Sequence, residues 1–123
     1  MSMSSDYNQI RSYLLAKPEA YEDFPFGPEA AVFKVKHKLF AILMQRDNQV
    51  QVNLKCDPAE ALALRDIFQS VKPGYHMNKT HWNTVILDGS IPENEIKRMV
   101  DNSFLLVVAG MSKKDKRSIE VQL

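Results

Sequence analysis

Apolar residues recur at helical spacing near the start of the chain, at Tyr7, Ile10 and Leu14, with Ser5 or Asp6 placed to cap the turn before them. The spacing predicts a helix running to about Leu15, and Pro18 stops it from continuing. The periodicity then switches. Ala31, Phe33 and Val35 alternate with Val32 and Lys34, Leu39 to Met44 is apolar on both faces, and Val50, Val52 and Leu54 alternate with Gln51, Asn53 and Lys55. These runs predict three strands, the last a clean half-buried one. The connectors Lys36-His37 and Arg46-Asp47-Asn48 are short enough to make the three an antiparallel meander.

A second helix starts at Asp57-Pro58-Ala59-Glu60. Asp57 is expected to accept from free amides at the N-cap, Pro58 to occupy the first helical position and Glu60 to reach back. Ala61, Leu64, Ile67 and Phe68 supply its expected buried stripe. Pro73-Gly74 breaks the chain before two more extended pieces, about Tyr75 to Met77 and His81 to Leu87, and Asp88-Gly89 turns out of the last. Ser90-Ile91-Pro92-Glu93 restarts a helix carrying Ile96, Met99, Val100, Phe104 and Val107 on one side. The order is helix, three strands, helix, two strands, helix. It predicts one α+β domain over residues 1–123: a two-layer sandwich of a mostly antiparallel five-stranded sheet with helices packed on one face and the other face wet.

Length and composition agree with that fold. A chain of 123 residues, 45% hydrophobic and 25% charged, builds a single core without staples. Its one cysteine, Cys56, has no intramolecular disulfide partner, which fits a reducing compartment. The start Met-Ser-Met-Ser-Ser-Asp lacks the basic and apolar regions of a signal peptide, and no apolar run reaches the length of a membrane span. The expectation is a cytoplasmic protein without a membrane partner.

Net charge is only +1, but it is unevenly spread. Glu19, Glu22, Asp23 and Glu29 crowd the segment after the first helix, which also holds the turn-forming Phe24-Pro25-Phe26-Gly27-Pro28; Phe24 and Phe26 are expected to plug the rim of the domain. From Ala30 to Cys56, Lys34, Lys36, Lys38, Arg46 and Lys55 face only Asp47. A basic C-terminal end, about 112–117, adds Lys113, Lys114, Lys116 and Arg117 around Asp115, as a solvated helix end would. Cations on predicted strands point weakly to an anionic partner, and more simply to solvated lysines on the wet face of a sheet, which also keep sheet edges apart.

The segment from His76 to Gly89 concentrates two imidazoles, Asn78, Lys79, Asn83 and the single tryptophan, Trp82, beside an apolar run. His76 and His81 lack the third and fourth ligands that a metal site needs, so no metal and no cofactor are expected. Nothing pairs a nucleophile with an activating base or cradles a phosphate in glycines, so no catalytic residues are assigned. Cys56, just before a helix start, is more simply a small apolar group than a thiolate. His81 and Trp82 point to opposite faces of one strand, which brings one of them near the wet surface beside Asn78 and Lys79. That patch either contacts phosphates and bases or is structural, with Asn78 and His81 bonding the turn and Lys79 covering Trp82.

A set of motifs in order carries a resemblance. Lys17-Pro18, Phe24-Pro25-Phe26-Gly27, Val32-Phe33-Lys34-Val35, Lys38-Leu39-Phe40-Ala41 and Asn53-Leu54-Lys55 come first. His76-Met77-Asn78-Lys79-Thr80-His81-Trp82, Thr84-Val85-Ile86-Leu87-Asp88-Gly89 and Pro92 follow. Across nearly the whole chain this is similar to the YjbR/MmcQ family of small bacterial proteins, with Lys36-His37 in place of the glycines often found at the first hairpin turn. The resemblance implies a frataxin-like (CyaY-like) fold, also described as a double wing, and a DNA-binding role by analogy with a double-wing phage transcription factor. The iron-chaperone role of frataxins needs an acidic first helix, and here that helix offers only Asp6, with Arg11 beside it.

The combined expectation is a non-enzymatic binding module, acting as a monomer, whose exposed sheet face lies against DNA. Lys34, Lys36, Lys38, Lys55 and Lys79 would meet phosphates, and His76, Asn78, His81 and Trp82 would contact sugar or base edges. The alternatives are a protein or peptide interaction domain using the same patch, and a small-molecule sensor with His76 and His81 lining a pocket.

Overall fold

Asp6 accepts from the Gln9 amide (3.0 Å) and opens helix α1, Tyr7–Leu15, in a computed structural model that describes residues 5–123. The strands are β1 (Tyr21–Asp23), β2 (Ala30–Val35), β3 (Lys38–Arg46), β4 (Gln49–Lys55), β5 (Val71–Pro73) and β6 (Trp82–Ile86). Helix α2 (Pro58–Ile67) lies between β4 and β5, and α3 (Glu93–Ala109) and α4 (Lys113–Glu120) follow β6. All strand pairs are antiparallel, in the order β1-β2-β3-β4-β6-β5. The two-layer α+β reading holds, with six strands in place of five.

Three differences from the pattern-based expectation have local causes. The acidic segment supplies β1, an edge strand too short to show alternation, paired to β2 with Tyr21 opposite Lys34. The extended piece before β6 is Val71–Pro73, while Tyr75–Met77 leaves the sheet because Gly74 and the following turn lift it away. The basic C-terminal end is a separate helix: α3 stops at Ala109, Ser112 accepts from the Asp115 amide (3.2 Å), and Ile119 anchors α4 in the core.

Helix α2 departs in detail too. Asp57 makes no side-chain cap bond, and Glu60 crosses to Arg98 of α3. Ile67 is 67% exposed, because the helix ends there; Phe68, its C-cap, packs partly buried against the core.

Alternation assigns the sheet faces. Ala31, Phe33, Ala41, Leu43, Val50, Val52, Leu54, Val85 and Leu87 share the face covered by the helices, where Ile96, Met99, Val100, Phe104 and Val107 of α3 meet them as expected. A bulge between Phe33 and Lys34 leaves Phe40 without a cross-strand partner and turns its ring into the core, edge-on to Phe104 at 5.2 Å. Ser103, fully buried on α3, donates to the Phe40 carbonyl (2.6 Å) and accepts from the Lys55 amide (2.9 Å), tying the helix to two strands.

The hairpin between β2 and β3 turns through Lys36 and His37, both at positive φ (48° and 67°), the signature of a type I′ turn usually made by Asn and Gly. Side-chain contacts offset the strain: Lys36 bonds Glu19 (3.1 Å) and Ser118 (3.1 Å), and the His37 Nδ1 and Tyr21 hydroxyl share a hydrogen bond at 3.2 Å. Asp47 and Asn48 (φ 56° and 61°) make the next turn of the same kind, with residue types better suited to it.

Ser103→Ala leaves the Phe40 carbonyl and the Lys55 amide buried without their partner. It should lower unfolding free energy by about 1–3 kcal/mol, read as a fall in urea midpoint with an unchanged slope.

Candidate ligand cleft on the open sheet face

The same alternation sends a second set of side chains away from the helices. Val32 and Lys34 of β2, Ile42, Met44 and Arg46 of β3, Gln51, Asn53 and Lys55 of β4, and Trp82, Thr84 and Ile86 of β6 share this face. It was expected to be wet. Its middle is not: Val32, Ile42, Gln51, Asn53 and Thr84 are all buried. Over Ile42, Asn53 and Thr84 lies the segment Tyr75-His76-Met77, which arches back across the strands.

Polar side chains pin this arch. Asn53 Nδ2 donates to the Tyr75 carbonyl (3.1 Å), the Tyr75 amide donates to Thr84 Oγ1 (2.8 Å), and the Thr84 hydroxyl donates to Asn53 Oδ1 (2.5 Å). Each group answers another, so the triangle is saturated where an orphaned member would cost about 1–3 kcal/mol. Gly74 starts the arch, its amide bonded to the Trp82 carbonyl (2.9 Å); a Cβ there would lie 2.8 Å from Trp82 Cβ. Only glycine permits that approach.

Between arch and sheet lies an open cleft of about 480 Å³. Ala30, Leu39, Ile42 and Met44 form its apolar floor and wall, with Asn53 beneath and Tyr75, His76 and Met77 above. Phe26 stands at its lip, 72% exposed, on the loop that turns at Gly27 (φ 107°). It lines the cleft, and the expected rim plug is not formed.

At the β3 end, the Arg46 guanidinium lies 3.6 Å over the Tyr75 ring, whose centroid is 4.0 Å from that of His76. Stacking of this kind stabilises by about 0.5–2 kcal/mol and holds the cation flat. Arg46 Nε and Gln51 Oε1 are buried without hydrogen-bond partners. His76 adopts φ 58°, uncommon for a residue with a side chain.

The residues singled out from the sequence fall into three places. Lys34, Lys55 and Trp82 share the open face, with Lys55 directly opposite Trp82 and Lys34 paired to Asp23 at 3.1 Å, which holds that carboxyl below its usual range. His76 belongs to the arch. Lys36 and Lys38 sit at the β2–β3 hairpin, Lys36 tied to Glu19.

Asn78, Lys79 and His81 form the turn into β6. Asn78 Oδ1 accepts from the Thr80 amide (2.9 Å), Lys79 Nζ donates to the Gly74 carbonyl (3.0 Å), and the His81 carbonyl accepts from Cys56 (2.8 Å). Arg65 braces the turn from α2, donating to Asn83 Oδ1 (2.7 Å) and to the carbonyls of Lys79 and Trp82. Arg46, Tyr75, Met44 and Gln51 were not singled out. A signal existed for Arg46, a cation in step with Ile42 and Met44 at the end of a strand apolar from Leu39 to Met44, but nothing local marks Tyr75 as its partner.

Cys56 packs as a small apolar group. Burial, helped by Glu60 and Asp57, pushes its thiol up to about 11. Among the described residues no cluster of three or more His, Cys, Asp or Glu is placed to hold a metal ion, and no helix is long and apolar enough to cross a membrane.

The model of the family described as YjbR matches residues 15–106. The uncharacterized protein YbdF of Escherichia coli O157:H7 is 40% identical over 97% of this chain and 98% of its own length. The uncharacterized protein YjbR of Escherichia coli K12 is 37% identical over 94% and 98%. Among solved structures, a Deinococcus radiodurans protein with the domain DUF419 superposes with a TM-score of 0.87 at 33% identity, covering 98% of this chain and 92% of that one.

Thr84→Val removes the hydroxyl that both accepts from Tyr75 and donates to Asn53. Stability should fall by about 1–3 kcal/mol, with hydrogen-exchange protection lost first at the Tyr75 amide. At pH 7.5 Cys56 should alkylate with iodoacetamide at least about a hundredfold more slowly than free cysteine, because so little thiolate is present.

Proposed function

This chain belongs to the YjbR family, and from that premise we propose that it is a non-enzymatic binding domain that takes a small ligand in the cleft between the open sheet face and the Tyr75–Met77 arch. One observation carries the reading. The cleft combines an apolar floor, a roof pinned by saturated hydrogen bonds and an aromatic ring, Phe26, left 72% exposed at its mouth. Its volume of about 480 Å³ falls within the range of small-molecule sites, about 300–1,000 Å³. Exposing Phe26 has a cost unless something covers it.

The position of the cleft favours a small molecule over a peptide strand. It lies over β2, β3 and β4, each bonded to neighbours on both sides, so no sheet edge is offered there for main-chain pairing. The triangle of Asn53, Thr84 and Tyr75 also leaves no activated group beneath the cleft, which supports binding without chemistry.

Nucleic-acid binding is the second reading. Its support is the border of the same face, where Lys55 stands opposite the half-buried Trp82 and Lys72 opposite Thr84. It rests on fewer free cations than the sequence suggested. Lys34 and Lys36 are paired to Asp23 and Glu19, and Lys79 is bonded to Gly74, which leaves Lys38, Lys55 and Lys72 without ion pairs among the described residues. Three phosphate contacts would give a salt slope near −3 for duplex DNA.

Titration of the ¹⁵N-labelled chain with indole, a neutral aromatic probe, separates the two readings. Cleft binding predicts amide shifts confined to Ile42–Met44, Asn53 and Tyr75–Met77, abolished by Met44→Glu while the remaining spectrum stays native. Shifts scattered over the surface would remove the cleft reading. An electrophoretic shift of duplex or single-stranded DNA that weakens with salt and is lost in a Lys55→Ala/Lys72→Ala variant would replace it.

A further inference from the structure

Resting on that reading, the geometry points to a specific class of ligand: a small amphipathic carboxylate, its apolar body in the cleft and its carboxyl group on Arg46. The argument begins with hydrogen bonds left unmade. Among the described residues six polar side chains are buried: Gln51, Asn53, Ser70, Asn83, Thr84 and Ser103. Five have partners. Asn53 and Thr84 bond each other and Tyr75, Asn83 bonds Arg65, Ser70 bonds Asp88 and Ser103 bonds Phe40. Only Gln51, 2% exposed, keeps a buried oxygen with no donor, and the other orphan among the described residues is Arg46 Nε. Both residues lie on the open face, where Gln51 pairs with Met44 of the cleft wall and Arg46 lies two residues beyond Met44. A fold that satisfies its polar groups elsewhere leaves this corner unfinished.

Charge says what the arginine of this corner would take. Every other arginine that braces the domain has an acceptor: Arg11 pairs with Glu22, Arg98 with Glu60 and Glu95, and Arg65 with Asn83 and two carbonyls. Arg46 makes no ion pair among the described residues, and its guanidinium is held flat on Tyr75, a ring that lines the cleft. A half-buried, immobilised guanidinium without an ion pair matches a planar carboxylate, which takes two parallel N–H bonds from its terminal nitrogens. A phosphate fits less well. It calls for more than one cation or a nest of backbone amides, and the other cations of the face stand away from Arg46: Lys34 and Lys55 at the opposite end of β2–β4, and Lys72 on the edge strand β5. The floor of Leu39, Ile42 and Met44 then takes an apolar body, with Phe26 able to close over it.

The probes are 2-naphthoate and its neutral isostere 2-naphthamide, titrated into the 123-residue chain and followed by amide shifts at Ile42–Met44 and Tyr75–Met77. In the wild type the carboxylate should bind about tenfold tighter than the amide, a difference of about 1.4 kcal/mol. Arg46→Gln should bring the two within about twofold of each other, with 2-naphthamide still moving the amides of Ile42–Met44, which shows that the cleft persists. Arg46→Lys, which keeps the charge but loses the planar fork, should retain only part of the preference. Equal affinities in the wild type, or a full preference surviving in Arg46→Gln, would overturn the carboxylate assignment and leave the cleft reading standing. Failure of both probes to move the cleft amides would overturn the two together.

Discussion

The triangle joining Asn53, Thr84 and the backbone of Tyr75 is the interaction on which the rest of this structure turns. A sheet with helices on one face normally offers water the other, and its alternating polar residues are solvated there. Here two of those residues, on adjacent strands β4 and β6, turn their hydrogen bonds toward each other and toward a loop. Once the Tyr75 amide and carbonyl are satisfied by the sheet, the arch can lie across it without orphaned backbone groups. The cover over Ile42, the Arg46–Tyr75 stack and the cleft beneath His76 and Met77 follow from that placement.

Where the backbone takes uncommon conformations, side chains from distant segments hold it. The Lys36-His37 turn has neither asparagine nor glycine, yet Glu19 and Ser118 fix Lys36, and Tyr21 meets His37. Helix α4 therefore does more than end the chain: its Ser118 touches the turn that sets the β2–β3 register, and Ile119 fills the core below. The arch has a similar economy. Gly74 allows close contact with Trp82, Lys79 returns its ammonium to the Gly74 carbonyl, and Arg65 gathers three acceptors from Lys79 to Asn83. The motif Asn78-Lys79-Thr80-His81-Trp82 thus has an architectural task, to shape the turn that feeds β6 and launches the roof of the cleft.

That task changes how the positive charge is understood. Counted along the chain, the strand lysines suggest one cationic face. In space they divide between ion pairs at the β1–β2 edge, a hairpin turn and the far border beside Trp82. Coulomb attraction to a long polyanion depends on how many free charges share one surface, whereas recognition of a single carboxylate needs one well-oriented guanidinium in a site shielded from water. Arg46 meets the second requirement, and its orientation comes from an aromatic ring supplied by the arch.

Much of the architecture was legible in the residues alone. Period-two runs identified β2 and β4, a run apolar on both faces identified β3, helical spacing identified α1 and the core stripe of α3, and the short connectors implied the meander. These are local properties, set by the geometry of helix and strand, and they decided which side chains face the helices. The short strand β1, the separation of α4 from α3 and the exit of Tyr75 from the sheet were not legible, because three-residue strands and single breaks carry too little periodicity. The cleft was hidden for a deeper reason. Alternation of Gln51, Asn53 and Lys55 with apolar neighbours looks the same whether the polar side meets water or a roof. The deciding bonds join residues 22 and 31 positions apart, so only the folded chain, in bringing Asn53, Tyr75 and Thr84 together, settles that this face encloses a cleft.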